Sequence, residues 1–164
     1  MKRVVIVRHA KSVPFGYEDD FNRDLTDRGK NDAALVSKKL KKQGIVPDIM
    51  ISSPAKRALK TARIFADNLT FKRNQIVENE DIYEGLTTSE FLELIQLLPE
   101  ETGTAFFFGH NPGFHFFVNN LLKISINEMP TCATVCIDFN VITWDNIEPR
   151  TGELAFRITP KMLK

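Results

Sequence analysis

The residues of this sequence best suited to chemistry are histidines and arginines that follow short apolar runs. Arg8 and His9 come directly after residues 4–7, and His110 follows residues 105–108. Short runs of this kind, rich in branched or aromatic residues, are typical of buried strands. In open α/β sheets, ligands bind outside the carboxyl ends of the strands. We therefore expect both histidines to lie at the same edge of a parallel sheet.

A third strand end adds a second arginine to this group. Residues 49–51 form another short apolar run, which is followed by Ser52, Ser53 and Pro54. A serine cap followed by proline is typical of a helix start. The sequence therefore predicts a helix that begins at Ser53 and Pro54 and carries Arg57 in its first turn, at the same edge of the sheet.

Two arginines and two histidines at one edge are suited to phosphoryl transfer. Guanidinium groups bind phosphate oxygens bidentately, and they stabilise the negative charge of the transition state. A neutral imidazole such as that of His9 can attack phosphorus and form a covalent phosphohistidine, which water then hydrolyses. His110, if protonated, is a further donor. Helix N-termini after Ser53 and Asn111 add dipoles of favourable sign.

Each of these residues also has a purely structural interpretation. His9 fits a hydrogen-bonded histidine at a strand end, Arg57 fits an exposed helix charge, and His110 fits a loop cap. His115 lies in an apolar stretch and is predicted to be structural. A single phosphate site explains His9, Arg57 and His110 together, whereas the structural interpretation needs a separate explanation for each of them.

Composition excludes several other classes of function. The chain has 22 Lys and Arg against 21 Asp and Glu, so its net charge of +1 gives no general attraction to nucleic acid or membranes. No apolar run approaches the ~20 residues of a membrane span, and no signal peptide is recognisable. Cys132 and Cys136 are too few for a disulfide framework and are predicted to be small core side chains, which on a strand would point to the same face. These features favour a cytoplasmic protein.

Metal and nucleotide motifs are also missing from the sequence. There is no His-x-x-x-His or Cys-x-x-Cys spacing, and the arginines beside the histidines would repel a cation. Neither glycine-rich nucleotide-binding pattern occurs after a strand. The sequence therefore disfavours a metal site and the enzymes that use a nucleotide-binding loop.

The order of the predicted elements indicates an α/β fold in one domain, residues 1–164. Predicted strands are residues 4–7, 49–51, 75–78, 105–108, 133–139 and 153–158, and predicted helices are residues 26–43, 53–69 and 87–98 and a helix from Pro112. Helices between strands imply right-handed crossovers and a mostly parallel central sheet that is covered on both faces. This is a three-layer α/β/α sandwich.

At the level of motifs, the chain resembles the histidine phosphatase superfamily, and within it the short phosphohistidine phosphatases of the SixA type. The resemblance extends along nearly the whole chain. The matching segments are Val7-Arg8-His9-Ala10-Lys11-Ser12, Arg23-Asp24-Leu25-Thr26-Asp27-Arg28-Gly29, Ser52-Ser53-Pro54-Ala55-Lys56-Arg57-Ala58, Ile82-Tyr83-Glu84 and Gly109-His110-Asn111-Pro112-Gly113.

This resemblance implies a phosphoglycerate mutase-like fold that needs no metal or organic cofactor. It implies that His9 is the nucleophile, that Arg8 and Arg57 clamp the phosphate, and that His110 is the second histidine in contact with phosphate. Two further residues are placed at the edge of the phosphate pocket by the same resemblance: Ser12 and Asn111.

Departures from the family pattern bear on the reaction. Ala10 replaces the usual glycine, and residues 13–15 stand where mutases continue with Trp and Asn, so hydrolysis is favoured over mutase activity. Little inserted sequence is available for a lid, which suggests an open site able to admit a phosphate carried by a protein. In the larger relatives a carboxylate from the loop after the second helix is the general acid. The resemblance therefore implies Glu84 for this role, with Asp81 as second candidate, although either fits a surface loop charge equally well.

The sequence thus predicts a metal-independent phosphatase that acts through phosphorylated His9, on phosphohistidine of another protein. One alternative is a phosphatase of small sugar or nucleotide phosphates, or a mutase, with the same fold. A second alternative is a phosphoprotein-binding module without catalysis. The intact His9, His110 and two arginines favour an enzyme, because a binding module has no need of the nucleophile.

Overall fold

A six-stranded sheet forms the centre of the structure, a computed structural model that describes residues 1–14, 16 and 19–164. Phe15, part of the departure from the mutase pattern, lies outside the described residues. The spatial order of the strands is β3-β2-β4-β1-β5-β6. The strands are β1 (Lys2–Arg8), β2 (Ile49–Ser52), β3 (Val77–Glu78), β4 (Thr104–Gly109), β5 (Thr134–Phe139) and β6 (Glu153–Ile158).

The sheet is mostly parallel, as the sequence predicted. β1 pairs with β4, β4 with β2, and β2 with β3, all in parallel. Only β5 runs against the others, because it pairs in antiparallel fashion with β1 on one side and with β6 on the other. The carboxyl ends of β1, β2, β4 and β6 therefore lie at the same edge.

Helices cover both faces of the sheet, which confirms the three-layer arrangement. They are α1 (Asp27–Lys42), α2 (Lys56–Asn68), α3 (Glu80–Glu84), α4 (Thr88–Gln96) and α5 (Gly113–Leu121). The alternation of side chains along β1 divides the core in two. Val5 and Val7 pack with residues of α1 and α2, whereas Val4 and Ile6 pack with residues of α4 and α5.

Capping residues explain where two of the helices begin. Thr26 caps α1 by accepting a hydrogen bond from the Gly29 amide at 3.0 Å. Thr87 and Glu90 form a reciprocal capping box at the start of α4. Both starts were predicted from the sequence, and both are confirmed.

The predicted start of α2 is wrong by two to three residues. The helix begins at Lys56, with Ala55 as the cap residue and no side-chain cap. The Ser53 hydroxyl instead accepts a hydrogen bond from the Ala55 amide at 3.1 Å and lies 2.8 Å from a nitrogen of His110. It therefore belongs to the turn before the helix. Arg57 nevertheless lies in the first turn, as predicted.

The two cysteines are buried in the same core cluster, as predicted, and both are free thiols. Cys132 precedes β5, and Cys136 lies within it. Burial raises the pKa of Cys136 to about 12, so this thiol is protonated at neutral pH. Across the described residues, no helix combines the length and hydropathy needed to cross a bilayer.

Candidate active site

A cavity of about 650 Å³ opens at the carboxyl ends of β1 and β4. All six residues that the sequence assigned to the phosphate site line this cavity: Arg8, His9, Ser12, Arg57, His110 and Asn111. They come from three separate parts of the chain: the end of β1 and the segment after it, the start of α2, and the segment after β4. The strand order brings them together, because β1 and β4 are neighbours and β2 leads into α2 on the other side of β4.

His9 is fixed by backbone hydrogen bonds on both sides. Its amide donates to the Gly109 carbonyl at 2.9 Å, and its carbonyl accepts from the Cys132 amide at 3.0 Å. The loop after β1 is therefore attached both to the end of β4 and to the segment before β5. The His9 side chain is only 7% exposed.

The hydrogen bond of the His9 ring determines which of its nitrogens can react. Nδ1 lies 2.8 Å from the Ala10 carbonyl oxygen. Because a carbonyl can only accept, Nδ1 carries the proton and Nε2 holds the free lone pair. Burial, together with the charges of Arg57 and Arg8, lowers the pKa of His9 to about 4. The imidazole is therefore neutral and nucleophilic at neutral pH.

His110 lies beside His9, with 5.3 Å between the ring centroids. Its Nε2 is 2.8 Å from the Ser53 hydroxyl. Ser53 is fully buried and accepts a hydrogen bond from the Ala55 amide, so its own hydrogen needs an acceptor, and His110 Nε2 is the nitrogen in reach. The proton of His110 is then on Nδ1.

Burial and the neighbouring His9 and Arg57 lower the pKa of His110 to about 3. The protonated donor considered from the sequence is therefore replaced by a neutral one, in which Nδ1–H is the donating group. The physical reason is that both histidines share a buried region with arginines, and a further positive charge there is unfavourable.

The two arginines are anchored by backbone carbonyls. Arg57 is 6% exposed, and its Nη1 donates to the Asp20 carbonyl at 2.6 Å while Nη2 donates to the Asp20 carboxylate at 3.1 Å. Arg8 donates from Nη1 to the Met129 carbonyl at 3.1 Å. Burial lowers the pKa of Arg8.

Unpartnered polar atoms are concentrated in this cavity. Among the described residues, six buried side-chain nitrogen or oxygen atoms have no hydrogen-bond partner, and four of them belong to residues of this cavity. Three of the four are nitrogen donors. These four atoms are Arg8 Nε, Arg57 Nε, His110 Nδ1 and Asn111 Oδ1. Buried donors without acceptors are costly unless a ligand supplies the acceptors, so this wall is suited to an anion.

A resident metal ion does not fit this set of donors. The cavity wall presents guanidinium groups beside its two imidazoles, and these charges repel a cation. Over the part of the chain that the structure describes, no three His, Cys, Asp or Glu side chains are placed together as a metal site.

Sequence reasoning missed Asp20, which lines the cavity and binds Arg57. Its carboxylate also accepts hydrogen bonds from the Tyr83 hydroxyl at 2.8 Å and from Arg23 Nη1 at 2.9 Å. Although partial burial opposes it, these hydrogen bonds and the charge of Arg57 lower the pKa of Asp20 to about 2. Asp20 is thus an anion that fixes the position of the Arg57 guanidinium. Asp20 begins a 3-10 turn of only three residues, which no periodicity marks in the sequence.

Ser12 and Asn111 lie at the cavity wall, where the resemblance placed them. The Ser12 hydroxyl accepts a hydrogen bond from Arg23 Nη2 at 3.0 Å. The Asn111 amide donates to the Met129 carbonyl at 2.9 Å, which is the carbonyl that Arg8 also uses. Arg23 was part of a motif segment but had no predicted role.

Glu84 and Asp81 are exposed on α3 and are not among the residues that line the cavity. α3 turns Ile82 into the core and Tyr83 toward the site, where the Tyr83 ring lies 5.7 Å from that of His110. The geometry thus adds no support for a general acid at Glu84, which stays a prediction. His115 contacts the Ile126 carbonyl at 3.0 Å and does not line the cavity.

The family model of the histidine phosphatase superfamily (branch 1) matches residues 4–110, more than half of the chain. The chain therefore belongs to this superfamily, and its fold is the phosphoglycerate mutase-like one.

Curated relatives match shorter parts of the chain. The mitochondrial serine/threonine-protein phosphatase Pgam5 of Drosophila yakuba is 31% identical over 84 residues, which cover 51% of this chain and 29% of that protein. Phosphoserine phosphatase 1 of Hydrogenobacter thermophilus is 34% identical over 100 residues, which cover 57% of this chain and 46% of that protein. The matched segments thus span less than half the length of these relatives.

Solved structures match almost the whole chain. A SixA protein from Agrobacterium tumefaciens superposes with a TM-score of 0.81 at 22% identity, over 97% of this chain and 98% of that one. The protein histidine phosphatase SixA in complex with tungstate gives 0.78 at 20% identity, over 99% of each chain. At these identities the matches establish a shared fold.

Proposed function

We propose that this protein is a metal-independent phosphatase that acts through a covalent phosphohistidine at His9. Its substrate in this proposal is a phosphohistidine carried by another protein. The observation that carries the proposal is the tautomer of His9. Nδ1–H is bound to the Ala10 carbonyl, so the lone pair of Nε2 is available in a cavity walled by Arg8 and Arg57.

In the first step of this reaction, His9 Nε2 attacks phosphorus, and the bond from phosphorus to the substrate nitrogen breaks. The departing imidazole takes up a proton at that nitrogen. The guanidinium groups of Arg8 and Arg57 stabilise the negative charge on the phosphoryl oxygens, and the Nδ1–H of His110 donates to one of them. Membership of the histidine phosphatase superfamily supports these roles.

In the second step, water attacks phosphorus from the side opposite to His9, and the bond from phosphorus to Nε2 breaks. The attacking water releases one proton, which balances the proton taken up by the leaving imidazole. Phosphate leaves, and the lone pair of Nε2 is restored. No metal or organic cofactor takes part in either step.

A protein-borne phosphohistidine is supported by two observations. The two SixA structures match the chain over nearly its entire length, and they are described as a phosphohistidine phosphatase and as a protein histidine phosphatase. Between the described helices and strands, no connection is longer than residues 9–26, which leaves little sequence for a lid over the cavity. A cytoplasmic location belongs to the same proposal and is supported by composition.

Hydrolysis of a phosphate ester is the second candidate. It is supported by the partial identity to two relatives, one named phosphoserine phosphatase 1 and the other the serine/threonine-protein phosphatase Pgam5. The same nucleophile and clamp serve this reaction, but the leaving oxygen then needs a proton in the transition state.

The phosphoenzyme tests the proposal directly. With radiolabelled phosphoramidate as donor in EDTA, rapid quenching is expected to trap label that is acid-labile and alkali-stable, as a phosphoramidate bond is. His9→Ala is expected to lose both label and turnover. His115→Gln is the matched control and is expected to keep both. Label that persists in His9→Ala, or activity abolished by EDTA, would contradict the mechanism.

A further inference from the structure

A second cavity, of about 260 Å³, adjoins the catalytic one, and Thr131 lines both. Three cationic side chains from two parts of the chain line it: Arg28 at the start of α1, and Arg157 and Lys161 in and just after β6. We call this cavity the basic groove. Among the described residues that line it, Glu128 is the one carboxylate. The reaction described above uses none of these side chains.

Sheet topology explains why the basic groove lies beside the catalytic cavity. β6 runs parallel to β1, because both flank the antiparallel β5. Thr134 of β5 pairs with Val7 on one side and with Ile158 on the other. The end of β6 is therefore two strand spacings, about 10 Å, from the end of β1.

The cations of the basic groove are held at the surface by contacts that leave charge accessible. Arg157 donates to the Glu128 carbonyl at 3.2 Å. The Arg28 side chain is 62% exposed, and its Nε lies 3.5 Å from the buried carboxylate of Asp32, which also binds Lys164. Lys161 is exposed. Because the chain as a whole has a net charge of only +1, this is a local concentration of positive charge.

We propose that the basic groove is a docking surface for an acidic segment of the protein substrate, next to its phosphohistidine. This inference rests on the proposed function, since it requires a phosphorylated residue in the catalytic cavity. An extended chain advances about 3.3–3.6 Å per residue, so about 10 Å corresponds to three residues. Carboxylates three and four residues from the phosphohistidine would therefore reach Arg157 and its neighbours.

Synthetic peptides that carry one phosphohistidine test this docking. In one peptide, Glu stands three and four residues away on both sides, and in its partner Gln stands at the same positions. The wild-type kcat/KM is expected to be about tenfold higher for the Glu peptide, as two or three exposed ion pairs would give. The difference should disappear near 1 M salt, where the Debye length is about 3 Å.

Variants of the basic groove test whether its side chains cause the preference for the Glu peptide. The triple variant Arg28→Gln, Arg157→Gln, Lys161→Gln is expected to lose the preference for the Glu peptide while it hydrolyses the Gln peptide and phosphoramidate at wild-type rates. The double variant Arg157→Gln, Lys161→Gln keeps the contact between Arg28 and Asp32, and replaces the triple variant if that does not fold. The matched control, with the same change of charge at the other end of α1, is Lys38→Gln, Lys41→Gln, Lys42→Gln.

Three results would overturn the docking surface. They are equal rates on the two peptides, a preference that survives in the groove variants, and a loss of phosphoramidate hydrolysis as large as the loss on the Glu peptide. Failure of the wild type to hydrolyse either peptide or phosphoramidate would instead contradict the proposed function. The affinities of the same two peptides, measured by fluorescence anisotropy, would then show whether the basic groove binds the acidic segment: a Glu peptide that binds no more tightly than the Gln peptide would contradict the docking surface.

Discussion

The two histidines of the cavity hold their protons on the same ring atom but offer opposite chemistry. His9 donates Nδ1–H to a backbone carbonyl and keeps the lone pair of Nε2, whereas His110 gives its Nε2 lone pair to Ser53 and keeps Nδ1–H. One is thereby a nucleophile and the other a neutral donor. Neither state is visible in the sequence, because each depends on an oxygen that folding brings to the ring.

Ser53→Ala is expected to change the tautomer of His110. Without the serine hydroxyl, Nε2–H becomes favourable, and Nδ1–H no longer points at the phosphoryl oxygens. The 15N chemical shifts of the two ring nitrogens report the tautomer directly. We expect kcat to fall about 10- to 100-fold, which does not exceed the effect on the rate of removing one oxyanion donor.

Ser53→Thr keeps the hydroxyl and should restore both the tautomer and most of the rate. The tautomer of His9 serves as internal control and should stay unchanged in both variants. A wild-type His110 with its proton on Nε2 would contradict the assignment.

The variant Glu84→Gln is expected to affect hydrolysis of the two candidate substrates, phosphohistidine and a phosphate ester, to different extents. A leaving imidazole departs readily once protonated, but an alkoxide needs a general acid, whose contribution is typically about 10²–10⁴-fold. If Glu84 is that acid, the variant should impair hydrolysis of a simple alkyl phosphate far more than that of phosphohistidine. The ratio of kcat/KM on the two substrates measures this, with Glu80→Gln, an exposed carboxylate of the same helix, as the matched control. Equal losses on both would remove Glu84 from the role.

At the scale of elements, strand ends and helix caps could be predicted because they depend on residues adjacent in sequence. The runs that form β1, β2 and β4 each end in a polar motif, and the caps of α1 and α4 use side chains within three residues of the helix start. The start of α2 could not be predicted in this way. Ser53, the expected cap, is directed instead to His110, which is distant in sequence.

The same distinction explains why Asp20 escaped prediction. Its importance comes from Arg57, Tyr83 and Arg23, three residues that only the folded chain places around it. The short helix α3 that carries Tyr83 has five residues, too few for a hydrophobic period to show. The positions of the strand ends therefore predicted the two arginines that clamp the phosphate, but not the carboxylate of Asp20 that fixes Arg57.

Gly29→Ala is expected to disturb the packing of α1 against the loop after β1. A Cβ at this position would lie 2.1 Å from the Lys11 carbonyl oxygen, and a backbone atom cannot move aside as a flexible side chain can. We expect a loss of about 1–3 kcal/mol in the free energy of unfolding. Because residues 11 and 12 line the cavity, kcat/KM should fall as well.

Gly113→Ala is the matched control, since a Cβ there meets only ordinary contacts at 3.6 Å and lies at the start of α5. Urea unfolding of both variants gives the measurement. A Gly29→Ala protein as stable as wild type would show that the loop after β1 can shift without cost.

At the scale of the whole molecule, positive and negative charges nearly cancel, but positive charge is concentrated at the catalytic cavity. The chain has nearly equal numbers of acidic and basic residues, yet the described residues in the wall of the catalytic cavity include four cationic side chains and one carboxylate. Two of the four, Arg8 and Arg57, follow from strand ends. Lys11 and Arg23 lie on loops, and their contribution depends on the packing of those loops against the sheet edge. This concentration of charge also keeps His9 and His110 neutral.

The neutral histidines predict how stability depends on pH. The pKa values of His9 and His110 are lowered to about 4 and about 3, whereas an unfolded histidine titrates near 6.5. Below about pH 6.5 the unfolded chain therefore binds protons that the folded chain does not, and the free energy of unfolding should fall as the pH decreases toward 4. Between pH 7.5 and 5 we expect a loss of about 2–4 kcal/mol in the free energy of unfolding, measured by urea unfolding.

The lowered carboxylate pKa of Asp20 affects stability only at more acidic pH. His9→Gln and His110→Gln should each remove about half of this dependence, and a stability that stays constant down to pH 5 in the wild type would contradict it.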